Sequence, residues 1–213
     1  MTKVAVITGA SRGLGSALAE ALVPEYHIVA VARTVGGLEE LDDRIRAKGG
    51  TTTLAPTDLA DPDTIGNLAG SLQARWGRVD LWAHTAIHAA PLSPAGHVSR
   101  KDWEKSVQLN ITSTGLLIGA IEPLLLEAGG GCALFFEDAC GGKKFFGAYG
   151  ATKAAQIALA RSWQTETAKI GPRVLVVAPD PMPTATRGRF FPGEDRGALT
   201  PPAKVAARII GTL

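Results

Sequence analysis

Tyr149 and Lys153 lie four residues apart in a long proline-free stretch, so a helix there carries both side chains on one face. A phenol is a poor acid or base near neutral pH unless its pKa falls. A neighbouring ammonium favours the phenolate and lowers it. Such a pair can pass a proton to or from a carbonyl or hydroxyl oxygen. The spacing alone is common by chance and gains meaning from a second feature near the amino terminus, Thr8-Gly9-Ala10-Ser11-Arg12-Gly13-Leu14-Gly15. Glycines here allow a tight turn and let backbone amides approach a ligand closely. The helix that opens at the turn aims its free N–H groups and positive dipole end at a pyrophosphate. No Lys-Ser/Thr pair follows the glycines, which excludes a P-loop.

A third feature is Arg33, in Val31-Ala32-Arg33 at the end of the second expected strand. A site for NAD usually carries an acidic residue there for the ribose hydroxyls, whereas arginine suits the 2′-phosphate of NADP. Arg12, inside the glycine turn, adds a second cation. NADP is therefore the expected cofactor, and NAD fits less well. The arginine also counts against an S-adenosylmethionine site.

These residues need elements to position them. Short apolar runs at Lys3–Thr8, His27–Ala32, Thr51–Ala55, Val79–Ala83, Cys132–Phe136 and Arg173–Ala178 read as strands buried on both faces. Between them, helical patterns cover Leu14–Val23, Leu38–Lys48, Pro62–Arg75, Lys101–Glu127 (with a break expected near Pro123), Ala148–Ile170 and Pro202–Ile210. Alternation of this kind predicts a doubly wound α/β fold, with a parallel sheet of about six strands covered by helices on both sides. Chemistry on such a sheet lies beyond the carboxyl ends of the strands. The glycine turn, Arg33 and the segments after the fourth, fifth and sixth strands all fall there.

Composition narrows the class. A chain of 213 residues with 46% hydrophobic and 20% charged residues suits one globular domain, and nothing marks a boundary within 1–213. The net charge is +2 and the cations are scattered, which argues against a nucleic-acid partner. Two cysteines, Cys132 and Cys140, fit reduced thiols in a cytoplasmic protein rather than a disulfide framework or zinc site. The amino terminus runs straight into a strand without a signal-peptide layout, and no apolar run is read as reaching bilayer length, so no membrane role is expected.

Across nearly its whole length the chain resembles the short-chain dehydrogenase/reductase family. The matching pieces are TGASRGLG at Thr8–Gly15, Asp58-Leu59 after the third strand, Asn110 in LNITS and YGATK at Tyr149–Lys153. The stretch Thr184–Pro201 looks like one bacterial branch of that family. The resemblance implies a Rossmann fold, with NADP held by Gly9, Ser11, Arg12, Gly13, Leu14, Gly15, Arg33, Asp58, Leu59, Ala86, Lys153, Pro179 and Thr184. By the same resemblance, Asp58 would touch the adenine and Thr184 would lie near the nicotinamide carboxamide. Asn110 would shape its helix and hold a water that relays protons to Lys153. Lys153 would bind the nicotinamide ribose, and Tyr149 would be the general acid in reduction or the base in oxidation. The partner would be a small-molecule carbonyl or alcohol, and the assembly a homodimer or homotetramer packed through the apolar faces of Lys101–Glu127 and Ala148–Ile170, including Trp163.

Three departures from the family pattern stand out. The serine expected after the fifth strand is absent, and Asp138 falls near its position in Phe135-Phe136-Glu137-Asp138-Ala139-Cys140-Gly141. An ionised carboxylate there would repel a forming oxyanion, while a protonated one in an apolar pocket could donate a hydrogen bond. The simpler reading, favoured here, has Asp138 or Glu137 in solvent or paired with Lys143 or Lys144. Second, Asn-Asn-Ala-Gly becomes His84-Thr85-Ala86-Ile87, so Ile87 replaces a glycine beside the cofactor. His84 and His88 are read as structural, and no metal is expected. Third, Pro-Gly after the sixth strand is Pro179-Asp180, and the chain stops at Leu213, before the seventh strand usual in the family.

Two functions follow as expectations. The first is an NADP-dependent oxidoreductase using Asn110, Tyr149 and Lys153, with Asp138 at the serine position. The second is a non-catalytic NADP-binding regulator or partner subunit with a degenerate site. Met182–Thr200 is expected to form a flexible flap, with Phe190 and Phe191 as apolar contacts and Arg187, Arg189 and Arg196 available to an acidic substrate or to solvent.

Overall fold

The computed structural model describes residues 2–213. Its strands are β1 (Lys3–Thr8), β2 (Tyr26–Ala32), β3 (Thr51–Pro56), β4 (Leu81–His84), β5 (Cys132–Phe136) and β6 (Arg173–Val177). They form one sheet in the order β3-β2-β1-β4-β5-β6, with every pair parallel. The helices are α1 (Gly13–Ala21), α2 (Val35–Ala47), α3 (Pro62–Trp76), α4 (Arg100–Val107), α5 (Ser113–Glu127), α6 (Gly147–Glu166), α7 (Ala185–Phe190) and α8 (Pro202–Ile210). This is the doubly wound, Rossmann-type α/β arrangement that strand–helix alternation predicts.

The alternation of side chains along each strand builds two cores. Val4 and Val6 of β1 join one cluster with Leu68 and Leu72 of α3, Leu117 and Ile121 of α5, and Trp163 of α6. Ala5 and Ile7 point the other way, toward Leu18 of α1, Leu38 and Leu41 of α2, and Ile209 of α8. Because both faces are covered, the strands read as continuous apolar runs. The strand order reverses between β1 and β4, which opens a crevice at their carboxyl ends.

Local signals set most of the boundaries. The Asp61 side chain accepts from the Asp63 amide at 3.1 Å, Pro62 occupies the first turn, and Gly77 closes α3 in the left-handed region at φ 68°. The expected long helix at Lys101–Glu127 breaks elsewhere than at Pro123. A π-helical turn at Gln108–Thr112 separates α4 from α5, and α5 continues through Pro123. Pro123 and Gly119 are both exposed, so the carbonyl left without a donor faces water and no Cβ at 119 meets the proline ring. Taken together, Arg100–Glu127 is long and apolar enough, by length and composition, to cross a membrane. That corrects the expectation that no segment reaches bilayer length. The run lies against the sheet, with Leu117, Ile121, Leu124 and Leu125 buried, as a core helix does.

Candidate active site

The glycine turn joins β1 to α1 at the crevice. The Gly9 and Ala10 amides donate to the Val31 carbonyl at 2.8 and 3.1 Å, which anchors the turn on β2. Gly15 lets it fold against the loop after β4, since a Cβ there would lie 2.4 Å from the Gly9 carbonyl oxygen and from Thr85 Oγ1. Gly13 has φ 60°, and a Cβ there would meet the Thr184 methyl at 3.4 Å. No side chain caps α1, which begins at Gly13 after the extended, exposed Arg12. The result is an open cradle of backbone amides at a helix start, bordered by Ser11, Gly13, Leu14 and Thr184, with Arg12 and Arg33 exposed beside it. A cradle with two cations and no nearby acid at the strand end fits a phosphorylated dinucleotide.

The remaining cofactor candidates flank the cradle unevenly. Asp58 is exposed after β3, and its Oδ1 accepts from the Ala60 amide at 3.1 Å. The Leu59 side chain lies in the core, and its carbonyl accepts from Ser113 Oγ at 2.5 Å, so its side chain does not face the crevice. Ala86 is half-buried against the turn, and Pro179 is half-buried just beyond β6. Asp180, beside it, pairs with Arg208.

Asn110 sits at the centre of the π-helical turn and is fully buried. Its Oδ1 accepts from the His88 amide at 2.7 Å, while its Nδ2 donates to the His88 carbonyl at 3.0 Å and to Thr152 Oγ1 at 2.9 Å. One amide thus ties the loop after β4 to α6. The His88 ring remains half-buried with Nε2 unpartnered, and burial lowers its pKa.

Tyr149 and Lys153 emerge from α6 into different surroundings. The Tyr149 hydroxyl donates to Asp138 Oδ2 at 2.9 Å, and Cys140 Sγ donates to Asp138 Oδ1 at 2.9 Å. This corrects the reading of Asp138 as a lysine partner; the residue is exposed, as the simpler reading expected, and its carboxylate takes the Tyr149 and Cys140 side chains. Glu137 pairs with Arg161 at 3.0 Å rather than with Lys143 or Lys144. It also corrects the expected direction of the tyrosine's pKa. Burial, then the charge and hydrogen bond of Asp138, push Tyr149 upward, so the phenol stays protonated. The same causes push the Cys140 thiol to about 12.

Lys153 Nζ donates to Gln156 Oε1 at 2.7 Å, and burial lowers its pKa to about 8 against the opposing charges of Asp138 and Glu137. Gln156 Nε2 donates to Thr114 Oγ1 at 3.0 Å, and the Thr114 hydroxyl donates to the Asn110 carbonyl at 2.9 Å. The Gln156 and Thr114 side chains therefore join Lys153 to the Asn110 backbone carbonyl. The seam continues, since His84 Nε2 meets Thr114 Oγ1 at 3.1 Å and His84 Nδ1 meets Thr8 Oγ1 at 2.8 Å. Thr114 has already given its one hydrogen to Asn110, which makes His84 Nε2 the donor and Nδ1 the acceptor. Burial, then the Lys153 charge, lowers the His84 pKa to about 3, so the ring is neutral. Among the described residues no three His, Cys, Asp or Glu side chains gather as a metal site.

Sequence reasoning missed Gln156, Thr114, Thr152 and Cys140. Gln156 and Thr152 share α6 with Lys153 at helical neighbour positions, a signal that was there to be used. The others arrive from separate elements. Nor did it place Trp163, which is buried and donates to Glu122 Oε1 at 2.7 Å instead of facing a partner. The apolar side chains exposed on α5 and α6 are Leu116, Leu126 and Leu159.

A family model described as short chain dehydrogenase matches residues 3–195. The chain belongs to the short-chain dehydrogenase family. Among its relatives, D-threitol dehydrogenase of Mycolicibacterium smegmatis is 34% identical over 130 residues, covering 61% of this chain and 50% of that protein. The chain thus aligns with half the length of that curated relative. Two solved structures superpose closely, each 25% identical. A short chain dehydrogenase from Pseudomonas syringae has a TM-score of 0.92, covering 98% of this chain and 87% of that one. A short chain dehydrogenase from Shigella flexneri complexed with NADP has a TM-score of 0.87, covering 94% and 86%.

Proposed function

We propose that this chain is an NADP-dependent oxidoreductase that interconverts a carbonyl compound and its alcohol, with Tyr149 as the proton donor. The observation that carries this reading is the Tyr149–Asp138 hydrogen bond of 2.9 Å, placed on the same sheet edge as an amide cradle flanked by Arg12 and Arg33. NADP, when bound, supplies or accepts a hydride. Gly9, Ser11, Gly13, Leu14 and Gly15 hold the diphosphate, and Arg33 with Arg12 takes the 2′-phosphate. Asp58, Ala86, Pro179 and Thr184 border the rest, and Lys153 binds the nicotinamide ribose. The NADP-bound neighbour supports this cofactor over NAD.

In the reducing direction the substrate oxygen gains a proton from the Tyr149 hydroxyl as its carbon gains the hydride. The upward-shifted phenol is protonated at neutral pH and suits this direction. Loss of that proton leaves a phenolate facing Asp138. The tyrosine regains its proton from solvent, which reaches the exposed Asp138 beside it. Asn110 positions the His88 backbone and Thr152, and so fixes the floor beneath these groups.

Residues 1–213 act as one dinucleotide-binding and catalytic domain. The exposed Leu116, Leu126 and Leu159 support a homodimer or homotetramer, and the unpaired, buried Cys132 and Cys140 suit a reducing cytoplasmic compartment. The test is NADPH titration followed by turnover with a panel of aldehydes and ketones. NADPH should bind more tightly than NADH, Arg33→Glu should reverse that order, and Tyr149→Phe should abolish turnover while binding persists.

A second reading, a non-catalytic NADP-binding regulator or partner subunit, is favoured by the burial of the Tyr149 ring. Saturable NADPH binding without turnover, unchanged in Tyr149→Phe, selects it.

A further inference from the structure

The Tyr149 ring is 4% exposed, and what covers it is aromatic. The Phe190 ring lies 4.8 Å from the Tyr149 ring at 50°, and Phe146 stands 5.0 Å from Phe190 at 63°. Phe146 also reaches Phe191 at 6.0 Å and Tyr149 at 6.4 Å. Ala89 and Cys140 are buried in the same cluster, and Ile87 and Leu92 pack against it. Phe190 therefore covers the ring that carries the reacting hydroxyl.

Phe190 ends the six-residue helix α7, which is fastened at separate points. The Thr184 side chain caps the helix by accepting from the Arg187 amide at 3.2 Å. Arg187 makes two hydrogen bonds of 2.5 Å to Glu194. Arg189 donates to the Ala89 carbonyl at 2.6 Å, and Arg196 to the Pro183 carbonyl at 2.7 Å. Arg187 is thus neutralised by Glu194, while Arg189 and Arg196 are held on backbone carbonyls of the flap and the neighbouring loop. The charged group beside the cluster is the exposed Asp138, hydrogen-bonded to the reacting hydroxyl. Its carboxylate repels anions, and the walls offer little to the many hydroxyls of a polyol.

We propose that the site selects neutral, flat, apolar carbonyl compounds, aryl aldehydes and ketones above all, and that Phe190 is the residue that determines this choice. The inference rests on the oxidoreductase reading and names its substrate class. In the free protein Phe190 lies on Tyr149. With substrate, α7 lifts, the aryl group enters, and the Phe190 ring settles on that group as one wall, with Phe146 as the other. Stacked and edge-on aromatic contacts favour such a ring over an alkyl chain of similar size.

The test uses the full chain with NADPH and compares benzaldehyde with propanal and pyruvate, and the reverse reaction with D-threitol and NADP. Benzaldehyde should exceed propanal in kcat/KM by about tenfold, the range that one well-placed aromatic pair supplies. Phe190→Ala should remove most of that preference by raising KM for benzaldehyde, with propanal turnover kept or increased. Phe190→Leu should fall between the two. Greater kcat/KM with pyruvate or D-threitol, or a preference unchanged in Phe190→Ala, overturns the proposal while leaving the oxidoreductase reading in place. Where no carbonyl is reduced, that reading fails, and saturation-transfer NMR of benzyl alcohol on the NADP-loaded protein still decides this one. Ring signals present with wild type and lost in Phe190→Ala support it, and none with wild type overturns it.

Discussion

Lys153 should make the free protein gain stability as pH rises from about 7.5 to 9. Its ammonium is buried, and its pKa falls from 10.5 to about 8. Between those values the unfolded chain retains a proton that the folded chain has released, and stability therefore climbs with pH. The whole gap amounts to about 3 kcal/mol, at about 1.4 kcal/mol per pH unit. Roughly 1 kcal/mol of it falls between about pH 7.5 and 9, a rise in Tm of about 2–4 °C for a chain of this size. The buried thiols act in the opposite sense. Cys132 is pushed up to about 11 and Cys140 to about 12, so the unfolded chain loses those protons first and stability drops above the ordinary thiol range. Lys153→Met retains both thiols, and subtracting its stability from that of wild type isolates the lysine. Urea unfolding of each protein without coenzyme, at several pH values, supplies the comparison. Wild type should gain about 1 kcal/mol on the variant across the window. A difference that stays flat, or shrinks, would mean that Asp138 and Glu137 keep the ammonium charged, and the reasoning would be wrong.

Other substitutions probe the remaining geometry. Gly15→Ala drives a methyl to within 2.4 Å of the Gly9 carbonyl, and should cost about 1–3 kcal/mol and weaken NADPH binding; thermal melts with and without NADPH read both. Asp138→Asn removes the charge that, after burial, holds Tyr149 up, so ultraviolet difference titration against Tyr149→Phe should place the phenol at lower pH than in wild type. An unmoved titration would remove Asp138 from the account. Asn110→Ala leaves the His88 amide and carbonyl and the Thr152 hydroxyl short of a partner, and should cost at least about 2 kcal/mol in urea unfolding, with faster hydrogen exchange at the His88 amide.

The sheet was legible because both of its faces are buried. Each strand then becomes an apolar run bounded by turns, and β1 and β5 fall at the expected residues. The glycine turn and the Tyr149–Lys153 spacing were equally plain, being local patterns. What escaped depends on distant partners. The break at Gln108–Thr112 answers to Asn110 reaching across to His88 and Thr152, which outweighs the lone proline downstream. The contact of Asp138 with Tyr149 depends on a loop length and on a partner eleven residues later. The resemblance placed Trp163 in a subunit interface, yet Trp82 and Phe135 of the sheet pack against it at 6.2 Å between ring centroids.

The seam from Lys153 through Gln156, Thr114 and His84 to Thr8 has a consequence for how this chain can change. Its members are buried and share hydrogen bonds, with Thr114 taking both Gln156 and His84, so altering one member strands its neighbour. Replacements at these positions are tolerated in pairs or not at all, which confines mutational drift here to coordinated double steps while the surface varies one residue at a time.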